Sequence, residues 1–298
     1  MSNGENTPLL FDRTLLRRRR ERAAPDYDRF AVLEREVRTM LADRQGDINR
    51  RFGAVLDIGA GGLLDQEPGA DFQVVIDLSA GLLAGCPGNC VAADEEQLPF
   101  GPGSFDLVRS TLVMQWANDL PGVLVQIKRA LRPDGLFLGA LLGGDSLFEL
   151  RQALLKAELD IYSRVAARVS PFADVRDLGD LLQRTGFQMP MADLDRITIR
   201  YKDLFALLGD LRGTGSTNAL MDRSAPPPSR GFFERADEIY RQEFAGPDGL
   251  LPATFDVIFL TGWSPGPDQP QPKRPGSATH SLAEALGTRE RPLPGRTR

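Results

Sequence analysis

The sequence predicts an α/β protein, a mostly parallel sheet with helices on both of its faces. Three observations carry this. Short apolar, β-branched runs alternate with longer segments whose apolar residues recur at three and four. Acids stand where the first three of those runs end: Asp57, Asp77 and Asp94. Helix punctuation also falls where crossovers need it, with Pro121 in one first turn and Gly186 after one last turn.

The elements follow in order. Leu9 to about Arg51 reads as a helical arm, divided by Pro25. Its run Arg17–Arg20, with Arg22, could grip an acidic partner or an anionic membrane surface, but the interspersed acids favour a solvated helix face. "AVLDIG" and "FQVVIDLS" are strands one and two, "CVAAD" a short third, "FDLVRSTLVM" a fourth. The helix "LPGVLVQIKRAL" and the turn "RPDG" lead into "LFLGALL", a buried fifth strand. A helix from Ser146 follows, with Glu149 three residues on as in a capping box. "VRDLGDLLQRTGF" is a further helix and "MADLDRITIRY" a strand. A mostly helical excursion over about 203–245 precedes the last strand, "ATFDVIFLTGW". The domains expected are an arm over 1–51, a body over 52–263 and a disordered Pro/Gly-rich tail over 264–298.

Composition removes several chemistries. The one histidine, His280, falls in the tail, which excludes a Ser-His-Asp triad or a two-histidine metal site in the body. Cys86 and Cys90 are four apart, a weak basis for a metal site, and read as incidental thiols in a reducing compartment. The net charge of −5 gives no reason to expect a nucleic-acid partner. No apolar run reaches the roughly twenty residues that a spanning helix needs, and no signal pattern opens the chain. The expected location is cytoplasmic, with peripheral membrane association as an option.

The glycine turn after strand one carries the functional reading. In an open α/β sheet ligands lie at the carboxyl ends of strands near the switch point. Glycines there let a ligand approach the backbone. An acid ending strand two can accept both hydroxyls of a ribose, and an acid after strand three can meet an adenine amino group. A dinucleotide fingerprint fails because Leu64 stands where its third glycine belongs, and no GxxxxGK[ST] loop exists. The remaining pattern, Asp57, Gly59-x-Gly61 and Asp77 twenty residues on, suits S-adenosyl-L-methionine. Between the two strands there is little room for a full helix, since "DQEPGADF" is poor helix material.

At this point the sequence resembles the class I methyltransferase superfamily, type 11 group. "VLDIGAG", "VIDLS", "AADEEQLPF", "SFDLV" and "LRPDG" match its successive motifs over about 52–142. The flanks "LFDRTLLRRRRERAAP", "SPFADVRDLGDLLQRTGF" and "GTGSTNAL" are similar to one subfamily, the methyltransferase-fold assembly factors of respiratory complex I, credited with hydroxylating an arginine of a complex I subunit. The resemblance implies a Rossmann-like fold with a mostly parallel seven-stranded sheet, S-adenosyl-L-methionine as cofactor, and a complex I subunit as protein partner. It implies a cofactor site of Asp57, Gly59, Ala60, Gly61, Asp77, Leu78, Asp94, Glu95 and Ser110. The departure from the pattern is Leu63 in place of a third glycine. Trp116, Asn118, Asp119, Asp145 and Glu149 are the candidates for gripping a substrate arginine, since carboxylates pair with guanidinium in a fork. Each also has an ordinary reading as core, turn or cap. Two other functions stay open: a methyltransferase on a small molecule or carrier-bound acid, similar to the malonyl-carrier-protein enzymes, and a non-catalytic scaffold with a degraded site.

Overall fold

The computed structural model describes residues 9–59, 61, 63, 66–86, 88–223, 227–267 and 287–288. The chain forms two compact units, 1–265 and 266–298. The helical arm folds into the first with the sheet. Most of the second, His280 included, lies outside the described residues, as does the expectation of a disordered tail.

Seven strands form one sheet in the order β3-β2-β1-β4-β5-β7-β6. They are β1 (Ala54–Ile58), β2 (Phe72–Asp77), β3 (Asn89–Ala92), β4 (Phe105–Thr111), β5 (Leu131–Gly143), β6 (Gln188–Tyr201) and β7 (Leu251–Trp263). The first five run parallel, and β7 is antiparallel to both β5 and β6. The order reverses at β1, so the switch point lies between β1 and β4. Every residue of β1 is buried, as a central parallel strand covered on both faces requires.

The helices are α1 (Arg13–Ala23), α2 (Tyr27–Phe30), α3 (Val32–Gly46), α4 (Ala80–Leu83), α5 (Leu120–Ala130), α6 (Phe148–Tyr162), α7 (Val175–Arg184), α8 (Leu204–Gly213) and α9 (Arg230–Phe244). Pro25 sits in a 3-10 turn between α1 and α2. One face of the sheet packs on α5 and α7 through Val123, Leu124, Ile127, Leu178 and Leu182. The other packs on α3, α6, α8 and α9 through Val37, Leu41, Ala153, Leu207 and Phe232. Cys86 and Cys90 pack against Val75 and Leu83.

Three local expectations change. "RPDG" lies within β5, where Asp134 takes a left-handed φ of 65° beside an irregularity in the β4–β5 register. Ser146 does not cap α6: the N-cap is Leu147, at φ 56°, and no side chain caps it. The Ser146 hydroxyl instead bonds both backbone groups of Asp256 at 3.0 Å, and Glu149 accepts from Thr254, so both residues staple α6 to β7. The third concerns the arginine run. Arg17, Arg18 and Arg22 are exposed, but Arg20 is buried and Arg19 half-buried. Among the described residues between β1 and β2 no helix is present.

Candidate functional site

The three acids gather at the carboxyl edge of the sheet, and each meets an arginine there. Asp57, buried in β1, lies opposite Arg109 of β4 in the parallel register. The Arg109 fork reaches both carboxylate oxygens at 2.7 and 3.0 Å, and Gln73 donates to one of them at 2.7 Å. Arg109 also donates to Glu67 and to Gln45 of α3. Asp77, the last residue of β2, takes a fork from Arg20 of α1 at 3.1 and 2.6 Å, and accepts from the Ser79 N–H at 2.9 Å. Asp94, past β3, accepts from Arg13 of α1 at 2.6 and 3.3 Å, and the same guanidinium pairs with Glu95 at 2.8 Å. Forked, charge-assisted pairs of this kind are among the strongest hydrogen bonds a protein makes.

The electrostatics follow burial. Desolvation pulls the Arg20 pKa down, but Asp77, Tyr27 and Glu95 together outweigh it and the net shift is upward. Arg13 behaves the same way through Glu95 and Asp94. Burial pushes the Glu95 carboxyl above its ordinary range while Arg13 opposes the shift. Burial likewise raises the Tyr27 hydroxyl, helped by Glu34.

The glycine turn is shaped by close approach. Gly59 has φ 77°, and a Cβ on it would lie 2.2 Å from Val113. A Cβ on Gly61 would lie 2.7 Å from the ring of Tyr27, which therefore covers the turn.

Acids at the ends of strands one and two are the acceptors an adenosine cofactor needs, but the space between them is too small. The cavity lined by Leu16, Arg20, Gly59, Asp77, Glu95 and Trp116 holds about 10 Å³. That matches the ~10–15 Å³ that a single water needs, and is far below the roughly 300 Å³ at which small-molecule pockets begin. In this arrangement the residues do not fit S-adenosyl-L-methionine, because α1 fills the crevice.

The other expected site residues go to separate places. Ala60 lies outside the described residues. Leu78 packs on Phe11 and Trp116. The Ser110 hydroxyl is buried in β4 with no hydrogen-bond partner among the described residues. Trp116 is buried edge-to-face on Phe11, with ring centroids 5.4 Å apart. Asn118 brackets the Phe11 backbone, accepting from its N–H and donating to its carbonyl. Asp119 caps α5 through the Gly122 N–H. Asp145 is exposed and pairs with Arg196 at 3.3 Å. Glu149 is buried on Thr254. These five are not brought together as a cluster.

Arg13, Arg20, Tyr27 and Arg109 were missed. For the first three a signal existed: Arg13, Leu16, Arg20, Ala23 and Tyr27 recur at helical spacing, and Leu16, Arg20 and Ala23 are the residues α1 buries.

Beyond Trp116 lies a second, larger cavity of about 590 Å³. Its walls come from α6, α8, α9 and the 168–172 and 216–223 loops, and include Leu147, Leu150, Leu154, Phe172 and Phe232. Among the described residues that line it are four arginines, Arg19, Arg168, Arg212 and Arg223, and no acid.

Residues 56–139 match the family model for a methyltransferase domain. The chain is 38% identical to the mitochondrial arginine-hydroxylase NDUFAF5 of Danio rerio, over 92% of this chain and 89% of that protein. It is 34% identical to a malonyl-[acyl-carrier protein] O-methyltransferase of Gallionella capsiferriformans, over 87% and 93%. Among solved structures it is similar to a Bacillus halodurans C-125 protein described as a methyltransferase, with TM-score 0.52, 16% identity, and 76% and 98% of the two chains covered. The strand order, the acids ending β1 and β2 and the similarity along nearly the whole chain give one conclusion: the chain belongs to the methyltransferase-fold family that includes the arginine-hydroxylase NDUFAF5.

Proposed function

We propose that the protein modifies an arginine of a partner protein, by hydroxylation, and that the partner is a subunit of respiratory complex I. The observation that carries this is the reach of the similarity: 92% of the chain is matched by the arginine-hydroxylase, well beyond the 56–139 methyltransferase domain. Binding S-adenosyl-L-methionine is part of the proposal, and it requires α1 to withdraw so that Asp77 exchanges Arg20 for ribose hydroxyls. The proposed place of action is the cytoplasm, in peripheral contact with the membrane.

A second reading is O-methyl transfer to a carrier-bound malonyl group, supported by 34% identity over 87% of the chain to an enzyme of that name. Peptide mass spectrometry of complex I subunits from cells with and without the gene decides between them. An arginine heavier by one oxygen only when the gene is present supports the first reading. Unmodified arginines, together with methyl transfer to malonyl-carrier protein in vitro, support the second. Complex I depleted with neither change would make the chain a scaffold.

A further inference from the structure

We propose that the 590 Å³ cavity binds an anionic amphiphile, a long apolar chain ended by a carboxylate or phosphate, with its head group at Arg19. The inference rests on the state of the four arginines. Arg168 is held by a fork to buried Glu158, with nitrogen–oxygen distances of 2.9 and 3.1 Å, a carboxylate it shares with Arg164. Arg223 pairs with Asp12 at 3.1 Å. Arg19 has no carboxylate partner among the described residues: it donates only to the carbonyls of Thr217 and Asn218. Arg212, exposed at the mouth, likewise has no acidic partner among them. This half-buried cation hydrogen-bonds only to neutral carbonyls, with Asp12, already paired to Arg223, acting on it at longer range, and an entering anion would complete it. Burial and the neighbouring cations Arg223 and Arg22 pull the Arg19 pKa down, the direction expected for a cation short of a counter-ion.

The walls specify the rest of the ligand. Leu147, Leu150, Leu154 and Phe232 are buried core residues whose surfaces form one side of the cavity, and Val169 and Phe172 pack beside them. The volume falls within the ~300–1,000 Å³ of small-molecule pockets, so a short diacid would leave most of it unfilled. A substrate guanidinium would find no carboxylate here, so this ligand is distinct from the arginine of the proposed reaction. The site lies across α1 from the crevice, Trp116 lining both, and Arg19 and Arg20 are consecutive residues of that helix.

The test is a fluorescence titration of the full chain with cis-parinaric acid, followed by competition. Saturable binding should be displaced by palmitate or by lysophosphatidate, and the better competitor identifies the head group. Hexadecanol, with the chain but no charge, and malonate, with the charge but no chain, should compete at least ~10-fold more weakly. Arg19→Gln should weaken binding about 10- to 100-fold, the loss expected for charge-assisted hydrogen bonds. Arg212→Gln, exposed and safe for folding, should weaken it a few-fold. Leu150→Trp should block binding with both arginines intact. Hexadecanol or malonate competing as well as palmitate would overturn the proposal. So would wild-type binding by both arginine variants, each shown by circular dichroism to be folded.

Discussion

Helix α1 separates two cavities that treat arginine in opposite ways. On the crevice side, Arg13 and Arg20 are drawn into carboxylates and the space is closed to about 10 Å³. On the other side, Arg19 faces about 590 Å³ with only carbonyls to meet it. The strand-end acids that mark the crevice in sequence are therefore spent on the chain's own side chains. The cavity that no motif marks is the one with space and an uncompensated charge. Binding capacity lies where an interaction is incomplete.

The strongest way to break this contrast is to remove one member of the closed side. Asp77→Ala leaves Arg20 buried without its partner and should cost about 3–5 kcal/mol in urea denaturation. Replacing both, Arg20→Met with Asp77→Leu, should recover most of that loss, since an apolar pair of similar size removes the uncompensated charge. If the double variant is as unstable as the single one, the pair is not what closes the crevice.

A second test opens the crevice without touching its acids. Wild-type protein should show weak or no heat of binding with S-adenosyl-L-methionine in calorimetry. Arg13→Ala with Arg20→Ala should bind it at least ~10-fold more tightly, if the fold survives. No gain in a folded variant would mean that α1 is a permanent wall.

Glu34 of α3 belongs to neither pattern. Half-buried and feeling Arg20 and Arg35 only at a distance, its carboxyl is pushed by burial up to about 7 from 4.5. The folded state thus holds this proton more tightly than the unfolded chain. Its contribution to stability is full below pH 4.5 and is lost as pH rises through 7. With partial exposure discounted, Glu34→Gln should remove about 1–2 kcal/mol of that decline, measured as the slope of stability against pH. An unchanged slope would assign the decline to other groups.

Two smaller effects calibrate the series. Ser146→Ala gives up two buried hydrogen bonds to Asp256 and should cost about 1–2 kcal/mol. Arg235→Ala breaks pairs with Asp160 and Glu238 on the surface and should change stability by less than about 1 kcal/mol. A larger loss there would mean that surface charge matters more to this fold than the closed crevice suggests.

The fold was largely legible because it is written in local pattern. Buried parallel strands are unbroken apolar runs, and "VLDI" and "VVID" could be little else once turns flanked them. The acids were legible as strand ends. Their partners were not, because Arg20 and Asp77 are 57 residues apart in sequence and Arg13 and Asp94 are 81 apart. Four consecutive arginines look alike until the helix is built: turned by about 100° per residue, Arg17 and Arg18 face solvent while Arg19 and Arg20 line different cavities. Ser146 and Glu149 show the limit of a motif: the capping spacing was present, but the left-handed turn at Leu147 sent both side chains to β7 instead. The large cavity left no trace in any one segment, since its walls come from five of them.

The shortened crossover between β1 and β2 has a consequence for how this chain can evolve. A parallel crossover commonly carries a helix that shields the sheet. Here α3, from before β1, supplies cover on one face, packing Val37 and Leu41 beside Val55 and Leu107. Gln45 of α3 reaches into the crossover itself, bonding Glu67 and Arg109 together. The residues before and after β1 have therefore become one unit of inheritance. A fragment beginning at residue 52 would lose α3, and with it the Val37 and Leu41 packing and the Gln45 bonds to Glu67 and Arg109. Neither segment can be exchanged without the other.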